Sequence, residues 1–382
     1  MGKIESIPAE AFPPGEFIKD ELAARGWEQR DLAKIMGRPE RLISELVSGK
    51  RAVTAETAQQ LGEAFGTGAQ LWMNLEASYR LHRLGKPDES VSRRARLYTV
   101  APIKEMVRRG WLTDSESIDV VEQQVMRFFR IQTLDEPVVF QRAAARKSTG
   151  LAEFTPAQTA WLFRARQLAE TLTVGPFDPA LFKAKLPGLK ALLSNAEDVR
   201  QVPKFLSELG VRCVVVEHLP ETRIDGACFW LDDRHPIVAL SLRFDRIDFF
   251  WFTLLHELGH VHAGDGKDGT IQPDIDLVGG DAHTSTPKPK VERDADAFAT
   301  SFIVPESQLA SFITRVRPLF SRHNVESFAA VQKVHPGLVV GQLQHRRQIP
   351  YANFRGSLVK VRSLFLETAL FDGWGVTPPT GR

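Results

Sequence analysis

Residues 249–265 read FFWFTLLHELGHVHAGD, and a run of large apolar side chains there carries His256, Glu257 and His260. The chain has ten histidines, and three of them, His262 included, fall within seven residues of this stretch. His256 and His260 are four apart, so a helix stacks them one turn above each other on one face. Two imidazoles so placed can hold one Zn2+ ion, with Glu257 beside it able to take a proton from water. The apolar neighbours bury the helix, and the histidines face inward. His262 falls off the ligand face and is not counted as a ligand. Asp248 is expected to cap the helix N-terminus.

A catalytic zinc generally takes a third protein ligand. The sequence VERDADAFATSFIVP (291–305) offers Glu292 and Asp296, four apart on a helix whose other face is apolar through Ala295, Phe298, Ala299 and Phe302. Glu292 would complete a two-His, one-Glu site, and Asp296 would orient a ligand imidazole from behind. Oxyanion stabilisation is open among His262, His235, Tyr351 and Arg243, each of which reads first as structural.

A length of 382 residues suggests two or three domains. Hydrophobic residues at 43% and charged residues at 25% describe a globular protein, and a formal net charge of +2 selects no partner class. Cys213 and Cys228 do not make a disulfide framework. No apolar leader and no membrane-length run are seen, so a cytoplasmic protein is expected. The fold class is α+β, mainly α. It divides into a five-helix domain over 1–82, a polar, basic linker over 83–100 and a helical middle region over 101–200. A domain with a small three-stranded sheet and the HExxH helix, zincin-like by the resemblance given below, occupies 201–350, and a C-terminal extension 351–382. The polar loop 265–289 is the natural gate over the metal site.

The stretch WEQRDLAKIMGRPERLISELVSGKRAVT (27–54) has the layout of a helix-turn-helix. One helix (28–36) ends at Gly37, and a second (39–47) ends at Ser48-Gly49. In that motif the second helix enters the major groove by its N-terminal half. Its exposed candidates are Arg38, Glu40, Arg41, Ser44 and Glu45, with Lys50 and Arg51 placed to reach phosphates. Thr54 is expected to cap the next helix. Residues 1–80 hold ten Lys+Arg against twelve Asp+Glu, a net of −2, which is weak footing for phosphate neutralisation.

Two resemblances follow. The blocks TRIDGACFWLDDRHPIVALSLRFDRIDFFWFTLLHELGHV (222–261), ERDADAFATSFIVP (292–305) and HPGLVVGQLQHRRQIP (335–350) resemble the ImmA/IrrE family of metallopeptidases. That resemblance implies a gluzincin-like core, His256, His260 and Glu292 as zinc ligands, Glu257 as general base, and cleavage of a protein such as a helix-turn-helix repressor. The stretches PPGEFIKDELAARGWEQRDLA (13–33) and SGKRAVTAETAQQLGEAFGTGAQLWMNLEASYRL (48–81) resemble the HigA-type antitoxin branch of Xre-like proteins. That likeness implies binding to double-stranded operator DNA, typically as a homodimer. The leading expectation is a DNA-binding regulator fused to a zinc metallopeptidase that cleaves a partner repressor, a toxin or itself. The alternatives are a HigA-like antitoxin and autorepressor whose zinc domain senses or scaffolds without cutting, and a zinc hydrolase whose N-terminal helices recruit substrate.

Overall fold

The computed structural model describes residues 11–84, 88–140, 154–269, 273–278 and 288–379. The chain forms two compact units, Met1–Val91 and Ser92–Arg382.

Among the described residues, the first unit contains five helices, α1 (Pro14–Arg25), α2 (Gln29–Met36), α3 (Glu40–Val47), α4 (Ala55–Phe65) and α5 (Ala69–Leu84). They close around Ile18, Leu32, Ile43, Leu61 and Trp72, all fully buried. The apolar residues recur at helical spacing because each helix turns one stripe to this centre. Thr54 caps α4 by accepting from the Thr57 N–H, as expected. Glu28 and Asp31 form a reciprocal capping box on α2. The turn between α2 and α3, the pair that makes the helix-turn-helix, opens on Gly37 in the left-handed region.

The stretch read as a linker carries the helix α6 (Glu89–Val100), most of it in the second unit, and its Leu97 is buried. Its polar composition hid a helix because only that one side chain is buried. There follow α7 (Ile103–Arg108), α8 (Ile118–Phe129), α9 (Pro156–Thr171), α10 (Pro179–Lys185), two 3-10 stretches and α11 (Val202–Glu208). The strands β1 (Arg212–Val216), β2 (Ile224–Trp230) and β3 (Pro236–Leu240) precede α12 (Ile247–Ala263). A two-residue strand β4 (Asp274–Ile275) comes next. The helices α13 (Lys290–Ile303), α14 (Glu306–Val316), α15 (Arg322–Gln332), α16 (Pro336–His345) and α17 (Arg362–Leu366) follow, and β5 (Leu370–Asp372) is the last element.

The sheet has five strands in the order β4-β2-β3-β1-β5, not three. β1 runs parallel to β3 and β5, while β2 is antiparallel to β3 and β4. The two added strands are too short to carry a period of two. Both faces of the sheet are covered, which explains why β1, β2 and β3 are buried at every position. Val214, Val216, Phe229 and Ile237 pack with Trp161, Leu162 and Leu168 of α9. Cys213, Val215 and Val238 pack in the core that contains α12. The cysteines are free thiols. At the end of β5, Asp372 forms a buried ion pair with Arg164 of α9 and accepts from Trp111 Nε1 at 3.1 Å.

α12 is buried around most of its girth, with Trp251, Leu254, Leu255 and Leu258 inaccessible to solvent. Burying each of these side chains is worth about 1.5–3 kcal/mol. That apolar burial holds in place the polar residues of the same helix. Asp248 does not cap it: Arg246 occupies the cap position, and Asp248 lies in the first turn with its carboxylate paired to Arg246 at 2.7 Å.

Candidate metal centre

On α12, His256 and His260 meet edge to face with ring centroids 4.8 Å apart and their Nε2 atoms 3.0 Å apart. α13 crosses this face closely. At Gly259 an added Cβ would lie 3.2 Å from Ala295 Cα, so the glycine between Glu257 and the second histidine permits the crossing. The approach places Glu292 Oε2 3.2 Å from His256 Nε2 and 3.8 Å from His260 Nε2. A fourth donor comes from β4, where Asp274 Oδ1 lies 3.3 Å from His256 Nε2. One donor atom from each of His256, His260, Asp274 and Glu292 falls within 4.8 Å of the others.

Each imidazole turns its other nitrogen to a carboxylate. His256 Nδ1 lies 3.0 Å from Asp296 Oδ1, close in distance but off the line of a good hydrogen bond. Asp296 is held in turn by the Lys288 ammonium at 2.7 Å. His260 Nδ1 lies 3.0 Å from Asp265 Oδ2. A carboxylate behind Nδ1 favours the proton there and leaves the Nε2 lone pair facing the cluster.

Two Nε2 lone pairs and two carboxylates facing one point are mutually repulsive unless a cation or protons lie among them. In a tetrahedral site with metal–ligand bonds of about 2.0–2.2 Å, neighbouring donors stand about 3.3–3.6 Å apart. The observed separations of 3.0, 3.2, 3.3 and 3.8 Å bracket that spacing. The nitrogen and carboxylate donors also suit zinc. The residues fit the ion.

The electrostatics agree. Burial works against a charge on His256, yet Asp274, Asp296 and Glu292 outweigh it and lift its pKa well above the ordinary imidazole range. Burial likewise opposes charge on His260, which Glu292 and Asp265 reverse. Burial alone would raise Glu292, but the two histidines hold it far below the usual carboxylate range. The pocket therefore favours positive charge in its centre.

Glu257 is fully buried, no donor among the described residues reaches its oxygens, and its carboxyl faces that of Asp274. Burial first, and the charge of Asp274 second, push its carboxyl well above the ordinary value. The side chain packs on the β2 backbone at Gly226, where an added Cβ would collide with Glu257 Oε1. A cleft of about 520 Å³ is lined by Asp296 together with Phe249, Phe252, Leu277, His345 and Tyr351.

The structure thus brings together His256, His260, Glu292, Glu257 and Asp296. Asp274 and Asp265 were missed. Asp265 stands one residue past the Gly264 C-cap in the HELGHVHAGD stretch, a signal available but not used. Asp274 lies in the loop read as a gate, on a strand too short to signal itself. Residues 270–272 and 279–287 of that loop lie outside the described residues. His262 stacks on Phe298, consistent with its exclusion as a ligand. Of the oxyanion candidates, His235 is paired with Asp232, and Arg243 with Asp225 and Asp276.

In the first unit, the expected DNA-contacting residues sit on and around α3 with their charges matched. Arg38 pairs with Glu56 and donates to Gln60 Oε1 at 3.0 Å. Arg41 pairs with Glu45 at 2.8 Å, and Arg51 reaches the same carboxylate at 3.4 Å. Ser44 and Lys50 are exposed.

A helix-turn-helix domain over α1–α5 and a zincin-like second unit with an HExxH helix define a regulator-like chain carrying a metallopeptidase-type domain. By comparison with known proteins, the chain belongs to the Xre-type helix-turn-helix proteins through residues 18–72, and residues 207–333 match the M78 peptidase family model, described as the IrrE N-terminal-like domain. It is similar to Virulence-associated protein I of Dichelobacter nodosus, with 34% identity over 23% of this chain and 86% of that protein. It is also similar to the uncharacterised HTH-type transcriptional regulator YddM of Escherichia coli, 34% identical over 22% of this chain and 90% of that one. A solved addiction-module antidote protein of a HigA family from Coxiella burnetii matches at 32% identity, over 19% of this chain and 79% of its own, with a TM-score of 0.18. Among the described residues, no helix is long and apolar enough to cross a membrane.

Proposed function

We propose that this protein is a cytoplasmic transcriptional regulator, acting as a homodimer on double-stranded operator DNA, whose second unit is a zinc-dependent endopeptidase. The observation that carries the peptidase half is the convergence of His256 Nε2, His260 Nε2 and Glu292 Oε2, with the buried Glu257 beside them. In this reading His256, His260 and Glu292 hold one Zn2+, and Asp296 and Asp265 orient the two imidazoles through Nδ1. Bound there, zinc supplies Lewis acidity, polarising a scissile carbonyl and making water acidic enough to lose a proton near neutral pH. Glu257 takes that proton on its carboxylate and returns it to the leaving amine. Its burial against Gly226 keeps the proton from bulk water between the two transfers. α3 enters the major groove through Arg38, Arg41 and Ser44, and Lys50 and Arg51 reach phosphates.

The substrate is a protein partner, with a helix-turn-helix repressor, a toxin and the chain's own 83–100 segment as the candidates. A second reading is favoured by one observation. Asp274 joins the donor cluster, as it would in a HigA-like antitoxin whose metal site senses or scaffolds without cutting. The separating experiment incubates the zinc-loaded chain with a repressor encoded beside it, follows both proteins by mass spectrometry, and repeats the assay with Glu257→Gln. Cleavage by the wild type and none by Glu257→Gln supports the peptidase. An intact repressor and an intact chain, with operator DNA still bound, support the antitoxin.

A further inference from the structure

Asp274 is the member of the cluster that neither HExxH nor the α13 motif supplies. Its strand, β4, pairs antiparallel with β2 in the register Gly226↔Asp274 and Ile224↔Ile275. β4 is the outermost strand at that end of the sheet. Were it absent, β2 would present a row of unpaired N–H and C=O groups directly beside Glu257, which packs on Gly226. Such an edge is where an extended peptide docks by adding a strand. Here the chain's own residues fill that edge.

The segment is fastened on its far side. The Asp276 N–H donates to the Arg223 carbonyl at 3.1 Å, and the Asp276 carboxylate pairs with Arg223 at 2.8 Å and Arg243 at 3.0 Å. The Val278 N–H donates to Asp225 Oδ2 at 3.1 Å. From this clamped strand Asp274 points one oxygen at His256 Nε2, 3.3 Å away, while no donor among the described residues reaches Oδ2 and the carboxyl also faces that of Glu257. Asp274 is 7% exposed. Four protein donors fill a tetrahedral zinc site, whereas catalytic sites keep one position open.

We propose that Asp274 is a fourth protein ligand and that β4 occupies the peptide-docking edge of β2 from within, so that the chain as folded is latent. Activation is then an exchange of strands. An extended substrate segment pairs with β2, β4 leaves, and the position held by Asp274 opens. This rests on the reading of His256, His260 and Glu292 as ligands.

The test loads the full chain with Co2+ in place of zinc and titrates it with sodium azide, following the visible absorption of the metal. The wild type is expected to bind one Co2+ with a spectrum insensitive to azide. Asp274→Asn is expected to bind Co2+ about 10–100-fold more weakly by chelator competition and to change spectrum with azide. Asp276→Ala, which removes the two ion pairs of the clamp and leaves every metal donor in place, is expected to gain a partial azide response. It carries the test if Asp274→Asn does not fold. A wild type that takes azide as readily as the variants would overturn the latency while leaving the three-ligand reading intact. A wild type that binds no Co2+ would overturn both.

Discussion

The two functional regions handle charge in opposite ways. Around α3 every arginine expected to meet DNA is exposed or half-exposed and already has a carboxylate partner, Arg38 with Glu56 and Arg41 and Arg51 with Glu45. Around α12 the charged and polar groups are buried and converge on one another, and both Glu257 oxygens and Asp274 Oδ2 have no donor among the described residues. Surface ion pairs are worth little and exchange readily for phosphate, so the first arrangement is tuned by competition. Buried lone pairs are costly unless something fills them. The second arrangement is therefore suited to a cation or shared protons.

The largest effect separating the two is expected at Glu257. Glu257→Gln should reduce cleavage by about 10²–10⁴-fold while metal content and operator binding, read by mass spectrometry and gel shift, stay at wild-type levels. Loss of metal in this variant would mean that Glu257 serves the site's structure rather than a proton transfer. Next comes the carboxylate behind His256. Asp296→Asn should weaken metal binding by about 10–100-fold in chelator competition, and an unchanged affinity would show that the 3.0 Å contact to Nδ1 orients nothing.

A smaller effect tests the packing on which the base depends. Gly226→Ala places a Cβ against Glu257 Oε1 and should cost about 1–3 kcal/mol in denaturant unfolding. Adding Glu257→Ala to it should recover much of that loss, because the collision is with that side chain. An additive double variant would place the strain elsewhere. The smallest effect belongs to the DNA side. Glu45→Gln frees Arg41 and Arg51, so operator affinity should rise several-fold and log K should fall more steeply with log salt, by about one unit of slope for each additional phosphate neutralised. An unchanged affinity would show that these arginines do not face phosphate.

What could be read from the sequence divides along the same line. The five helices of the first unit repeat their apolar residues at helical spacing and announce their ends with Gly37, Gly66 and the Thr54 cap. α12 and α13 signalled both their helices and their inward faces, because His256/His260 and Glu292/Asp296 each lie four apart. β4 and β5, of two and three residues, left no periodic trace. α6 was hidden by its charge: Arg93 and Arg96 pair with Glu122 and Asp135 instead of lying in a solvated linker. Asp274 was beyond reach, since its place in the cluster depends on a strand pairing made across nearly fifty residues of chain and not on any local pattern.

Metal content decides the matter most directly. The full chain and Glu292→Ala, purified without added metal, would be measured by elemental mass spectrometry, with circular dichroism to confirm that both are folded. About one zinc per wild-type chain, falling well below that in Glu292→Ala, is the expected result. No metal in either protein, with the fold intact, would contradict a metal centre at α12 and leave the helix-turn-helix unit as the functional part of the chain.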